Sequence, residues 1–147
     1  MQDVYPNDQH GAVNHPEPRN HPGAHGKTVW IIAEGYLPAP GPRPDNPALS
    51  SHEAACVLNT GDKTANLTIT LFFTDREPSG PYQVSVPPRR TLHLRFDDLK
   101  DPEPVPRETD FASLVESDQP VVVQHTRLDA RLGSLALMTT MAYGENR

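Results

Sequence analysis

Residues Asn66 to Thr74, read NLTITLFFT, alternate between apolar Leu67, Ile69, Leu71 and Phe73 and polar Asn66, Thr68 and Thr70. Only an extended strand sends two such sets to opposite sides; a helix would smear them around its axis. The β-branched and aromatic content agrees. Strand-like segments recur along the chain: one from Thr28 onward, then His52 to Asn59, Tyr82 to Val86, Arg89 to Phe96, Val121 to Leu128 and Ser134 to Tyr143. In the fourth of these, Leu92, Leu94 and Phe96 face one way and Arg89, Thr91, His93 and Arg95 the other. Ser50 and Glu53 imitate a helix capping box, but the AACVLN that follows is short and ends at a turn, so it reads as strand. Asp110 to Ser117 permits either one helical turn or a short strand. Thr60-Gly61-Asp62 predicts a hairpin between the strands on either side of it. Pro87-Pro88 lacks backbone donors and demands a sheet edge or a corner. With about seven or eight strands and no β-α-β rhythm, the chain predicts an all-β fold: a single-domain antiparallel β-sandwich, jelly-roll-like.

Composition sets the limits of that domain. Of 147 residues, 17 are proline and 35% are hydrophobic, too poor in apolar side chains for every segment to join one core. Residues 1–26, with Pro6, Pro16, Pro18, Pro22, His10, His15, His21 and His25, predict a disordered His/Pro-rich tail, leaving 27–147 as the folded domain. Two further Pro-rich stretches, Pro38 to Pro47 and Asp101 to Pro106, read as stiff connecting loops. The longest early apolar run, VWIIA at 29–33, is too short for a membrane helix or a signal peptide, so the expectation is a cytoplasmic protein that is not membrane-embedded. The net charge of -6 opposes DNA association, for which Arg89, Arg90 and Arg95 would be the only local basic cluster.

Chemistry-bearing residues concentrate in VVVQHTRLD, Val121 to Asp129, where an apolar strand turns polar on both faces. A surface strand alternates and a core strand stays dry, so this one predicts a strand that leaves the core for a polar pocket or a subunit interface. Glu34, His52, Glu53, Asn59, His93, Gln124, His125, Thr126, Arg127 and Asp129 all lie in or beside predicted strands. A metal-dependent enzyme would use His52, Glu53, His93 and His125, yet no HxH, HExxH or CxxC spacing joins them. No GxSxG or Gly-rich phosphate loop is present either, and no cofactor is expected. The single cysteine, Cys56, is flanked by Ala54, Ala55, Val57 and Leu58 and is expected to be a small buried side chain. An extended strand places it too far from His52 for a hydrogen-bonded dyad. Recognition through imidazole and the rigid guanidinium fork of Arg127 fits these residue types better than catalysis.

WIIAEGYLP at 30–38, SHEAACVLNTGD at 51–62, FTDREPSGPY at 73–82, VPPRRTLHLRFDDL at 86–99, TDFASL at 109–114 and VVVQHTRLD at 121–129 resemble, in order, the soluble sensory rhodopsin transducer family. The likeness runs from about Thr28 to Tyr143. It implies a non-catalytic cytoplasmic β-sandwich that assembles as a homotetramer and couples to a sensory rhodopsin or another membrane receptor. It also implies a small polar ligand such as a sugar for relatives apart from rhodopsins, with DNA contact as an alternative. By motif position, Glu34, His52, Glu53, Arg90, His93, Gln124, His125 and Arg127 are the expected ligand-binding residues. The tail and the proline-rich loop at 38–47 depart from the family pattern.

Overall fold

The computed structural model describes residues 23–147. Eight strands follow in chain order: β1 Lys27–Tyr36, β2 His52–Asn59, β3 Ala65–Phe73, β4 Ser79–Val86, β5 Arg90–Arg95, β6 Asp110–Asp129, β7 Ala136–Met141 and β8 Tyr143–Glu145. A single 3-10 turn, Phe96–Asp98, is the only helical element among the described residues. Every pairing is antiparallel. The first sheet runs β4-β3-β6-β1-β8; in the second, β5 pairs β2, β2 pairs β6 and β6 pairs β7. The all-β expectation holds, and most of the expected tail lies outside the described residues.

The strand β6 joins the two sheets. Its 20 residues pair with β1 and β3 through Phe111 to Ser117, then with β2 and β7 through Val122 to Asp129. The ambiguous Asp110 to Ser117 segment and the polar strand after it are therefore one strand, interrupted only by Pro120. At that point the missing proline donor costs nothing, because the strand is passing from one set of partners to the other. Trp30 anchors the crossing, its indole N–H donating to the carbonyl of Val121 at 3.0 Å. Gly26 lies against the same carbonyl, with φ +118 and space for no side chain: a Cβ there would stand 1.9 Å from the Val121 oxygen.

Phe111, Val115, Val121 and Val123 share the inward face of β6 and meet Leu67, Ile69 and Leu71 of β3 with Ala55 and Val57 of β2. Tyr82, Val86 and Phe96 close the core. Full burial of a Leu or Ile contributes about 1.5–3 kcal/mol, so the alternating face of β3 is a principal source of stability.

The expected hairpin between the second and third strands does not form. β2 belongs to the second sheet and β3 to the first, and Thr60 to Thr64 is a corner between them. Asn59 explains the outcome. Fully buried, it donates through Nδ2 to the carbonyls of Lys63, Val86 and Pro87 and accepts the Gly61 N–H at 2.9 Å. One side chain thus ties this corner to the Pro87-Pro88 corner. That second corner carries the chain from β4, at one edge of the first sheet, to β5, at an edge of the second. The expected final strand is also two, β7 and β8, broken at Ala142 where the chain changes sheets.

Candidate functional site

The side chains of β2 and β6 divide by parity. On the inner face of the second sheet, Glu53 stands opposite Arg127, and His125 opposite Ala55. Glu53 is fully buried, which an isolated carboxylate could not tolerate. Its compensation comes from three directions. Arg127 Nε donates to Oε2 at 2.8 Å, the His125 Nε2 bonds Oε1, and the backbone N–H of Tyr36 reaches Oε1 at 3.3 Å. Because a carboxylate only accepts, His125 is the donor of this bond, through Nε2. Burial works against the charge of Arg127, but the Glu53 hydrogen bond and charge outweigh it and hold the guanidinium above its ordinary pKa.

His125 and Arg127, backed by the buried Glu53, form one wall of an open cleft of about 340 Å3, within the range of small-molecule sites. Ile31 to Glu34 of β1 form a second wall, and Met138, Thr140, Met141 and Tyr143 a third. The cleft exists because β8 pairs with β1 only from Val29 to Ile31, leaving the rest of that edge open. A register shift between Ile32 and Gly35 inserts one extra residue into β1 against β6. Such a bulge re-aims side chains, and here it brings Glu34, with its side chain 78% exposed, to 3.9 Å from Arg127 Nη1. Beside the cleft, Tyr36 lies under two guanidinium groups, those of Arg127 at 5.8 Å and Arg131 at 5.4 Å. Asp129 is occupied by Arg131, which donates to it from both its backbone and its side chain.

The outer face of the same sheet carries the other half of the expected residues. His93 is paired in register with Cys56, and His52 meets the His93 ring edge-on at 5.4 Å between centroids. Gln124 and Thr126 extend the row to Thr139 of β7. Arg90 belongs to neither group: it lies opposite Asn59 at the far end of β5 and donates to the Arg89 carbonyl. Arg95 is engaged by Asp97 and the Pro47 carbonyl, so the sequence cluster Arg89, Arg90 and Arg95 is not a uniform basic patch.

This geometry bears on one alternative reading and overturns one expectation. The metal set of His52, Glu53, His93 and His125 is split between opposite faces of the sheet, and among the described residues no group of three or more His, Cys, Asp or Glu side chains could hold a metal ion. Cys56 is not buried in the core but half-exposed, since its even position sends it outward. The cleft residues Met138, Thr140 and Tyr143 were not singled out in the sequence. Their segment reads as ordinary, and only the positions of β7 at the sheet edge and of β8 against β1 give them a role.

An antiparallel β-sandwich with a polar cleft where the open edges of its sheets meet is the class this architecture defines. The chain belongs to the sensory rhodopsin transducer family: the family profile described as Anabaena sensory rhodopsin transducer matches residues 25–144. The solved structure of the Anabaena sensory rhodopsin transducer is 50% identical, covers 70% of this chain and 98% of its own, and superposes with a TM-score of 0.60. The crystal structure of Thermotoga maritima 1070 is 38% identical, covers 82% of this chain and 96% of its own, and gives a TM-score of 0.72. No curated protein sequence matches the chain. The chain is thus a transducer-like module, and among the described residues no helix is long and apolar enough to cross a membrane.

Proposed function

We propose that the protein is a non-catalytic cytoplasmic signalling module whose cleft binds a small polar, sugar-like ligand and whose surface reads a membrane receptor of the sensory rhodopsin type. The observation that carries the ligand reading is the complement of the cleft: an exposed carboxylate at Glu34 facing the Nη1 end of Arg127, the Thr140 hydroxyl, and the apolar Ile31 and Met138 beside the Tyr143 ring. Acceptors and donors placed on an apolar floor suit hydroxyl groups on a hydrocarbon ring. Glu53 and His125 hold Arg127 in place, so its Nη1 end is presented without loss of side-chain freedom on binding.

Assembly as a homotetramer belongs to the same reading. All six residues of β7 are exposed, with Leu137 at 68% and Met141 at 55%, and one edge of this strand has no partner strand among the described residues. An apolar edge of this kind invites pairing with another chain. Since β7 also walls the cleft, assembly and ligand occupancy would be linked.

The test is a thermal-shift series with glucose, xylose, galactose and gluconate on the wild-type chain and on Glu34→Gln. The expected outcome is a rise in melting temperature with at least one of these compounds that Glu34→Gln removes while its own melting point stays put. A ligand-induced rise that is equal in the variant would refute the assignment of the cleft.

A further inference from the structure

We propose that Cys56 is a reactive thiol that forms mixed disulfides with small disulfide compounds, using His93 as its base, on the face of the second sheet opposite the cleft. The pairing is built by register. Cys56 on β2 and His93 on β5 are direct cross-strand partners, and Sγ lies 3.2 Å from the His93 Nδ1. Thr126 Oγ1 approaches the sulfur from the other neighbouring strand at 3.8 Å. His93 is in turn braced: the His52 ring meets it edge-on, and His52 is fixed by a 3.0 Å contact between its Nδ1 and the Ser50 carbonyl. Cys56 is half-buried and His93 exposed, so the pair lies at the surface of the sheet.

The imidazole faces His52 from β2, Arg95 on its own strand and Asp98 from the 3-10 turn. Burial, then His52 and then Arg95, push its pKa below the ordinary histidine value, against the opposing pull of Asp98. His93 therefore stays neutral at physiological pH, with a lone pair available to the thiol. In the reaction, the Sγ–H proton passes to Nδ1 as Sγ attacks one sulfur of the incoming disulfide. A new S–S bond forms on Cys56, the disulfide's own S–S bond breaks, and the departing thiolate takes the proton from the imidazolium. Cys56 is oxidised and one half of the reagent is reduced to a thiol, so no other oxidant is required. A cysteine without such a partner is mostly unreactive thiol at neutral pH; here the imidazole in contact can accept the proton as the sulfur attacks.

Three measurements on the full chain test the assignment. Intact mass after exposure to oxidised glutathione or cystine at pH 7 is expected to show a single adduct, absent from Cys56→Ser. The rate with a chromogenic aromatic disulfide is expected to exceed that of the guanidinium-unfolded chain and to fall at least about tenfold in His93→Gln. The wild-type rate should persist below pH 7 and decline only as His93 gains its proton; this third reading stands even if His93→Gln does not fold. A folded protein that reacts no faster than the unfolded chain, a His93→Gln rate equal to wild type, or a rate that climbs through pH 8 as for a free thiol would each overturn the proposal.

Discussion

The two faces of the second sheet are made by the same strands from alternating residues, yet they solve opposite problems. On the inner face, Glu53 and His125 are withdrawn from water, and the Glu53 carboxylate is satisfied by His125 and by the half-buried Arg127 at the cleft, so its burial depends on both. On the outer face, Cys56, His93, Gln124 and Thr126 make neutral contacts in reach of solvent. What separates Gln124 from His125 is only the parity of a strand. The lesson is that proximity in sequence is a poor guide to a shared site on a β-sheet, whereas register and parity together identify one.

The contrast predicts a gradient of mutational cost. Arg127→Met strands the buried Glu53 carboxylate without its cation and should lower stability by about 3–5 kcal/mol, read from the urea midpoint. If the loss is under about 1 kcal/mol, the inner face is not the interdependent unit described. An intermediate effect belongs to Asp97, which bridges Arg95 and Arg107 beside the proline-rich loop with its side chain 15% exposed. Burial raises the pKa of this carboxyl, but Arg95 and Arg107 together overcome that and lower it. A depressed carboxylate contributes stability that is complete above its unfolded value, about pH 3.9, and is lost as pH falls through the lower folded value. Asp97→Asn should therefore cost about 1–3 kcal/mol at neutral pH and leave a flatter acid limb in stability against pH. An unchanged acid limb would remove Asp97 from the account.

Leu137→Lys should act on assembly instead of the fold. Light scattering is expected to show a smaller species, while the folding stability measured on that species stays within about 0.5 kcal/mol of the wild-type subunit. Retention of the wild-type mass would show that β7 is not an assembly edge. The smallest effect is expected on the outer face: Gln124→Ala removes one exposed hydrogen bond to Thr139 and should change stability by no more than about 0.5 kcal/mol. A loss comparable to that of Arg127→Met would erase the distinction between the faces.

Much of the fold is legible in the sequence: the solvent-facing and core-facing residues of β3 alternate, and the His52 to Asn59 strand is marked by its shortness and the turn that ends it. Connectivity is less legible. Thr60-Gly61-Asp62 has turn chemistry, but whether a turn closes a hairpin or rounds a corner depends on Asn59 bonding carbonyls 27 and 28 residues away. The site is partly legible as well. The polar run after Val123 marks the strand correctly, and Glu53 with Arg127 emerges as a pair only when β2 is laid against β6. Cys56 and His93 are invisible as partners because 37 residues separate them, and the sequence offers only the nearer His52 for comparison. The bulge that presents Glu34 has no sequence marker in IIAEG, since nothing there demands an extra residue.

The central claim is that the inner-face cleft is the recognition site and the outer face is chemically separate. Mapping backbone amide shifts by heteronuclear NMR, while titrating the compound that gives the largest thermal shift, tests this most directly. The account predicts perturbations at residues 31–34, 125, 127 and 138–143, with His93 and its neighbours on β5 unmoved. Perturbations centred on β5 and the Cys56 side of β2, with the cleft silent, would contradict it.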